Sequence, residues 1–247
     1  MRPSTAMLRG LPPFRDLPDD LLEEIDAISD VVVVEHGQEI CRQGIIPTHL
    51  YYVVEGQVAL ASTAPDGTTA VVEVVHPLGD FVLASVMVRL PNLQAAHAVT
   101  HGRLVAIEAE ALREIIERAP MLSLALLTSL SREYRTIVRQ VRDLKVRTTA
   151  QRLGCYLLAL VPDPNAPEAT IRLPFEKGLL AGRLGCRQEN LSRAFASLRE
   201  LGVETRGARV MLRDIPRLTA YAMPDYLNDP EMTELTMSAA DVELATA

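Results

Sequence analysis

The chain has 247 residues, 48% of them hydrophobic and 23% charged, which is ordinary for a soluble globular protein and long enough for two domains. No apolar run follows a basic start, and the longest uncharged stretch, 119–131, falls short of the roughly 20 residues a bilayer needs, so neither a signal peptide nor a membrane partner is expected. Cys41, Cys155 and Cys186 are odd in number and far apart, which excludes a disulfide framework and a CxxC metal site and leaves the cytoplasm as the expected compartment.

Residues 17–29 carry Leu21, Leu22, Ile25 and Ile28 at helical spacing, with acids near the amino-terminal end where they suit the helix dipole. From 31 to about 108 the pattern turns to short β-branched runs punctuated by glycine, with Pro65-Asp66-Gly67 as a hairpin turn. Many short strands predict a β-barrel or roll. A helix with early acids (Glu108, Glu110, Glu114) follows, is interrupted at Pro120, and gives way to a long helix from Met121 to about Leu144. Along it Leu127, Ser131, Tyr134, Val138 and Val141 alternate by four and three, a coiled-coil-like seam that predicts a homodimer. Leu126, Leu130, Ile137 and Leu144 form a neighbouring stripe, available to the chain's own β domain.

Beyond this lie a helix over 147–160, a short strand over 171–173, and the most informative stretch, 179–193. It reads as a helix-turn-helix. Ala181 lets two helices cross closely, Gly185 supplies a left-handed turn residue, and Leu191 packs the second helix on the first. Gln188, Glu189, Ser192 and Arg193 then share the exposed amino-terminal face of that second helix. Such side chains read base edges: Arg can grip guanine O6 and N7, and Glu can accept from cytosine N4. Residues 203–213 read as two strands around Arg206-Gly207-Ala208, a small wing whose Arg206 and Arg209 suit phosphates. The net charge of −7 conceals this module. Residues 1–144 carry 12 basic against 19 acidic side chains, 145–223 carry 13 against 7, and 224–247 carry none against 6. The basic share falls on the helix-turn-helix, as phosphate neutralisation requires. The acidic end is expected to be weakly ordered, with at most a marginal helix over 235–244.

Across about residues 10–223 the chain resembles the CRP/FNR family of bacterial transcription factors. The marks are Gly37, Gln43-Gly44, Leu50 through Val58, Gly79-Asp80, and then Gly185 through Glu189 with Leu191-Ser192-Arg193. The resemblance implies an α+β chain with four parts: an amino-terminal β-roll sensor domain of the cyclic-nucleotide-binding type (1–120), a long dimerisation helix (121–145), a carboxy-terminal winged helix-turn-helix (146–223) and an acidic tail (224–247). It further implies double-stranded DNA and RNA polymerase as partners. Glu189 and Arg193 match the pair that reads a TGA-containing half-site of a pseudo-palindromic operator. Glu189, Ser192 and Arg193 together are closer to the FNR branch, which leaves the outer bases open.

The effector is open at this stage. Gly79 and Asp80 match a pocket element of nucleotide-binding members, and Asp80 could accept from a ribose hydroxyl. The cationic partner for a cyclic phosphate is missing, since 90–96 carries no charge and Arg89 and Arg103 stand out of place; cyclic AMP is disfavoured. An iron–sulfur cluster is disfavoured because no cysteine precedes Cys41. Heme stays open, with His76 the foremost axial candidate beside His97 and His101. Cys41 is expected to be buried and Cys186 structural.

No phosphate loop, HExxH or nucleophile elbow appears, so an enzyme is not expected. The alternatives carried forward are a heme-dependent gas-sensing regulator and a cyclic-nucleotide-binding adaptor acting on a protein partner. The adaptor would have no basic carboxy-terminal module.

Overall fold

The computed structural model describes residues 2–163, 165–173 and 177–225. The chain divides into two compact units between Arg135 and Thr136, inside its longest helix. The expected helix over 235–244 lies outside the described residues, as does the acidic tail beyond Asp225.

In the first unit, α1 (Thr5–Gly10) and α2 (Asp19–Ala27) precede the strands, joined by a 3-10 turn over Pro12–Phe14. Ser4 caps α1 by accepting from the Met7 amide, and Asp19 and Asp20 occupy the first turn of α2. The strands are β1 (Ser29–Val34), β2 (Glu39–Cys41), β3 (His49–Glu55), β4 (Val58–Thr63), β5 (Thr69–Val75), β6 (Asp80–Phe81), β7 (Ala95–Ala98) and β8 (Gly102–Glu108). They form two antiparallel four-stranded sheets, in the orders β1-β8-β3-β6 and β2-β7-β4-β5. The Pro65-Asp66-Gly67 turn joins β4 to β5, with Asp66 accepting from the Thr68 amide.

Strand alternation divides the first sheet between two cores. Val53, Phe81 and Leu104 fill the roll with Val58, Leu60 and Ala96 of the second sheet. Leu50, Tyr52, Val105 and Ile107 point to the other face, against α1, α2, α4 (Ala109–Arg118) and the start of α5 (Pro120–Val146). Tyr51 stacks on Phe81 at 5.2 Å on one face, while Tyr52 meets Phe14 edge-on at 5.2 Å on the other.

The region read as strands alone also holds a short helix, α3 (Leu83–Val88), flanked by Val82 and Arg89 in the left-handed region. A six-residue apolar run has no period that separates helix from strand, which is why it was missed.

The second unit holds α6 (Thr149–Ala159), β9 (Ala169–Arg172), α7 (Lys177–Arg183), α8 (Gln188–Leu198), β10 (Val203–Arg206), β11 (Arg209–Leu212) and α9 (Ile215–Ala222). A capping box starts α6: Thr148 accepts from the Gln151 amide and Gln151 returns the bond to the Thr148 amide. One core gathers Leu153 and Leu157 of α6, Leu180 of α7, Leu191 and Leu198 of α8, Val210 and Leu212 of β11, and Leu218 of α9. No helix among the described residues is long and apolar enough to cross a membrane.

Candidate nucleic-acid interface

The turn between α7 and α8 is a Schellman closure around Gly185. The Cys186 amide donates to Ala181 O at 2.9 Å and the Gly185 amide to Gly182 O at 2.8 Å, with Gly185 at φ +60°. Ala181 and Leu191 are buried, as their roles in the crossing require. Two supports around this turn escaped the sequence reading. Arg152, on α6, donates to Leu184 O at 2.9 Å and to Arg147 O at 2.8 Å, tying the turn to the base of that helix. Leu144, near the end of α5, lies over Gly185 so closely that a Cβ there would stand 2.4 Å from its Cδ2. Nothing in the spacing of Arg152 marks it out, and the helical spacing that singles out Leu144 does not show that it meets Gly185, because both act across the tertiary fold.

The four side chains expected to read bases are all exposed on α8. Burying Leu191, Ala194, Phe195 and Leu198 leaves Glu189, Ser192 and Arg193 on the opposite side. Arg193 and Glu189, one turn apart, stand 4.0 Å from each other with side chains about four-fifths exposed. A loose pair in water is worth little, so both groups are available to a ligand. Gln188 folds toward α7: a Cβ on Gly178 would lie 2.8 Å from its Nε2, a contact the flexible side chain can swing away from.

The wing adds a feature not seen in the sequence. In the sheet order β10-β11-β9, Arg206 pairs in register with Arg209, and Arg209 with Arg172. All three are exposed, and none forms an ion pair among the described residues. Like charges set directly across strands cost stability, and nothing among the described residues neutralises this row. Arg172 was missed because only strand register brings it beside the wing.

Along α5, Leu122 and Leu126 are buried in the first unit and Leu130 packs against the same core. The seam residues Leu127, Tyr134, Val138 and Val141 are exposed by 59%, 68%, 48% and 45%. Leu124, exposed by 65%, extends the same three-and-four spacing one step earlier. Ile137 and Leu144, read as part of the inner stripe, are exposed by 55% and 49%. That inner stripe therefore serves the first unit only as far as Leu130.

In the sensor unit, Gly79 closes a tight turn in which its amide donates to His76 O at 3.0 Å. His76 is half-buried, with Nδ1 3.4 Å from Gln57 Nε2. Asp80 faces away from the roll: it is the cross-strand partner of Tyr52, whereas its neighbour Phe81 fills the roll. Arg89 pairs with Glu110 at 2.7 Å and Arg103 with Glu55 at 2.8 Å, both on the surface. His97 and His101 lie beside Glu39 and Glu35, at 3.7 and 3.2 Å. Cys41 is buried at the end of β2, and burial pushes its thiol up to about 12. Burial also raises the Cys186 thiol, with Arg152 opposing.

A β-roll and a winged helix-turn-helix in one chain define a DNA-binding class of regulatory protein. The chain matches the cyclic nucleotide-binding domain over residues 31–119 and the Crp-like helix-turn-helix domain over residues 151–221. It is 27% identical over 192 residues to a CRP-like cAMP-activated global transcriptional regulator of Mycobacterium tuberculosis, covering 75% of this chain and 85% of the relative. A crystal structure from Ruegeria pomeroyi, described as a candidate cyclic nucleotide binding protein, is 28% identical with a TM-score of 0.58 and covers 90% of this chain and 97% of its own. The fold is shared with a c-di-GMP responsive global regulator of Xanthomonas campestris, at a TM-score of 0.67, 21% identity, and coverage of 79% of this chain and 99% of the other. The chain belongs to the CRP/FNR family of transcription regulators.

Proposed function

We propose that this protein works as a homodimer that reads a pseudo-palindromic operator with TGA-containing half-sites, under control of an effector sensed in the roll. The observation that carries the reading is the shared exposure of Glu189, Ser192 and Arg193 on α8, in a unit whose wing presents the row Arg172, Arg206 and Arg209. Arg193 grips the guanine, Glu189 accepts from a cytosine of the core, and Ser192 and Gln188 tune the flanks. The wing arginines hold phosphates. The exposed seam of α5 supplies the dimer contact, and two-fold symmetry then sets the recognition helices about 34 Å apart, one DNA turn. RNA polymerase is the partner that family membership leads us to propose.

For the effector, we infer a ligand other than a cyclic nucleotide. The Mycobacterium relative is cAMP-activated, but here 90–96 is uncharged and the two nearest arginines, Arg89 and Arg103, are engaged with Glu110 and Glu55 outside the roll. For heme, the axial candidate His76 has its Nε2 buried and its Nδ1 3.4 Å from Gln57 Nε2.

The experiment is a titration of cognate and scrambled duplexes at several salt concentrations. Arg193→Ala should lose about 1–3 kcal/mol on the cognate site alone. Arg209→Ala and Arg172→Ala should weaken both duplexes alike and each flatten the salt dependence by about one unit. Equal losses on both duplexes for Arg193→Ala would remove it from base reading.

A further inference from the structure

DNA reading leaves one network of charged side chains unused, and it lies wholly within the second unit. Asp143, in the last turn of α5, accepts from two neighbouring arginines: its Oδ1 from Arg142 at 3.0 Å and its Oδ2 from Arg147 at 2.9 Å. Each arginine also reaches the segment after α9. Arg142 donates to Asp225 Oδ2 at 3.1 Å, and Arg147 to Met223 O at 3.0 Å. In the other direction the Arg147 carbonyl accepts from Arg152 at 2.8 Å, and Arg152 donates in turn to Leu184 O, just before Gly185, at 2.9 Å. A continuous path of hydrogen bonds and short side chains therefore joins Asp225 to the turn that presents α8, and Leu144 lies over Gly185 beside it.

The middle of the path is sheltered, with the Arg147 side chain exposed by 9% and Asp143 by 25%. Charges held there depend on their partners, since removing one leaves the other uncompensated. The far end is equally well tied. Three successive carbonyls at the end of α9 are taken up, Tyr221 O by Gln151 Nε2 at 3.4 Å, Ala222 O by Cys155 Sγ at 3.4 Å, and Met223 O by Arg147. Met223 adopts φ +49°, which is uncommon for a residue other than glycine, and so ends α9 two residues before Asp225. The matched helix-turn-helix domain stops at residue 221, so Met223 and Asp225 lie beyond it.

We propose that Asp225 and Arg142 are positioning residues for α8: they pin the last turn of α5 to the recognition turn and so fix the spacing of the two recognition helices in a dimer. The inference rests on the dimeric, DNA-reading function proposed above. The two residues act through Asp143, Arg147 and Arg152. With the pin in place, α8 moves only with the end of α5. Changing the distance between half-sites by one base pair shifts one of them by about 3.4 Å and about 35° relative to the other. A pinned dimer cannot follow that change, whereas an unpinned one can re-aim each α8.

The test uses the full chain, comparing wild type with Asp225→Ala and with the conservative Asp225→Glu. Duplexes carry the same two half-sites with the spacing lengthened or shortened by one base pair. Wild type should lose about tenfold in affinity on the misfit spacings, comparable to a mismatched base pair. Asp225→Ala should lose no more than about twofold while still preferring cognate to scrambled half-sites, and Asp225→Glu should restore the wild-type discrimination. Amide hydrogen exchange without DNA is the second readout. The Gly185 and Cys186 amides, which close the turn, should exchange about tenfold faster in Asp225→Ala and at the wild-type rate in Asp225→Glu. Arg142→Gln breaks the same link if Asp225→Ala does not fold. Undiminished spacing discrimination in the variant, or unchanged exchange at Gly185 and Cys186, would overturn the proposal. Loss of cognate preference already in wild type would sink the DNA-binding reading instead, and the exchange rates would still decide whether the pin holds the turn.

Discussion

Replacing Gly185 by alanine tests the geometry of the recognition turn, because two different costs meet at that residue. The first is backbone. At φ +60° an L side chain crowds the following carbonyl, which costs about 1–2 kcal/mol. The second is steric, since the new Cβ would lie 2.4 Å from Leu144 Cδ2. That atom is the end of a flexible side chain exposed by 49%, so Leu144 can swing aside rather than force the helices apart. Displacing it from its preferred rotamer costs about 0.5–1.5 kcal/mol. Together these give about 2–3 kcal/mol, a large share of the stability of a small unit. Unfolding followed by circular dichroism should show this loss for Gly185→Ala, and only about 1–2 kcal/mol when Leu144→Ala is already present. Gly185→Asn should recover most of the backbone part, because asparagine tolerates the left-handed region. If Gly185→Ala costs the same with or without Leu144, the contact between the long helix and the turn is wrong. If it costs nothing, the Schellman closure is wrong, and with it the presentation of α8.

Val138→Glu with Val141→Glu places like charges across the seam of α5, and the doubly substituted protein should sediment as a monomer at concentrations where wild type is dimeric; an unchanged dimer would move the interface off this helix. Calorimetry with cyclic AMP and cyclic GMP should show no binding heat, since Arg89 and Arg103 are held on the outer surface; tight binding of either nucleotide would show that one of them can leave its glutamate for the phosphate.

What could be read from the sequence is what local physics decides. Gly185, Ala181 and Leu191 each have one role within a dozen residues, and each role is carried by residue type: positive φ, small size, apolar bulk. The α5 seam was legible for the same reason, since a repeat of three and four is a property of one helix, and Leu124 could have been added by extending it. The helix α9 was overlooked although Asp214 caps it, with Pro216 in its first turn, a start signal that was there to be used. The short α3 offered no such signal.

What escaped the sequence depends on register or on the packing of distant elements. Arg172 is one basic residue in a short strand until β9 pairs with β11, and only then does it complete a row of three cations. Asp80 is the sharper case. Gly79 and the family resemblance make it an effector-pocket residue, and alternation in a two-residue strand decides which face its side chain takes. With Phe81 committed to the roll by its stack on Tyr51, Asp80 must turn toward the helices.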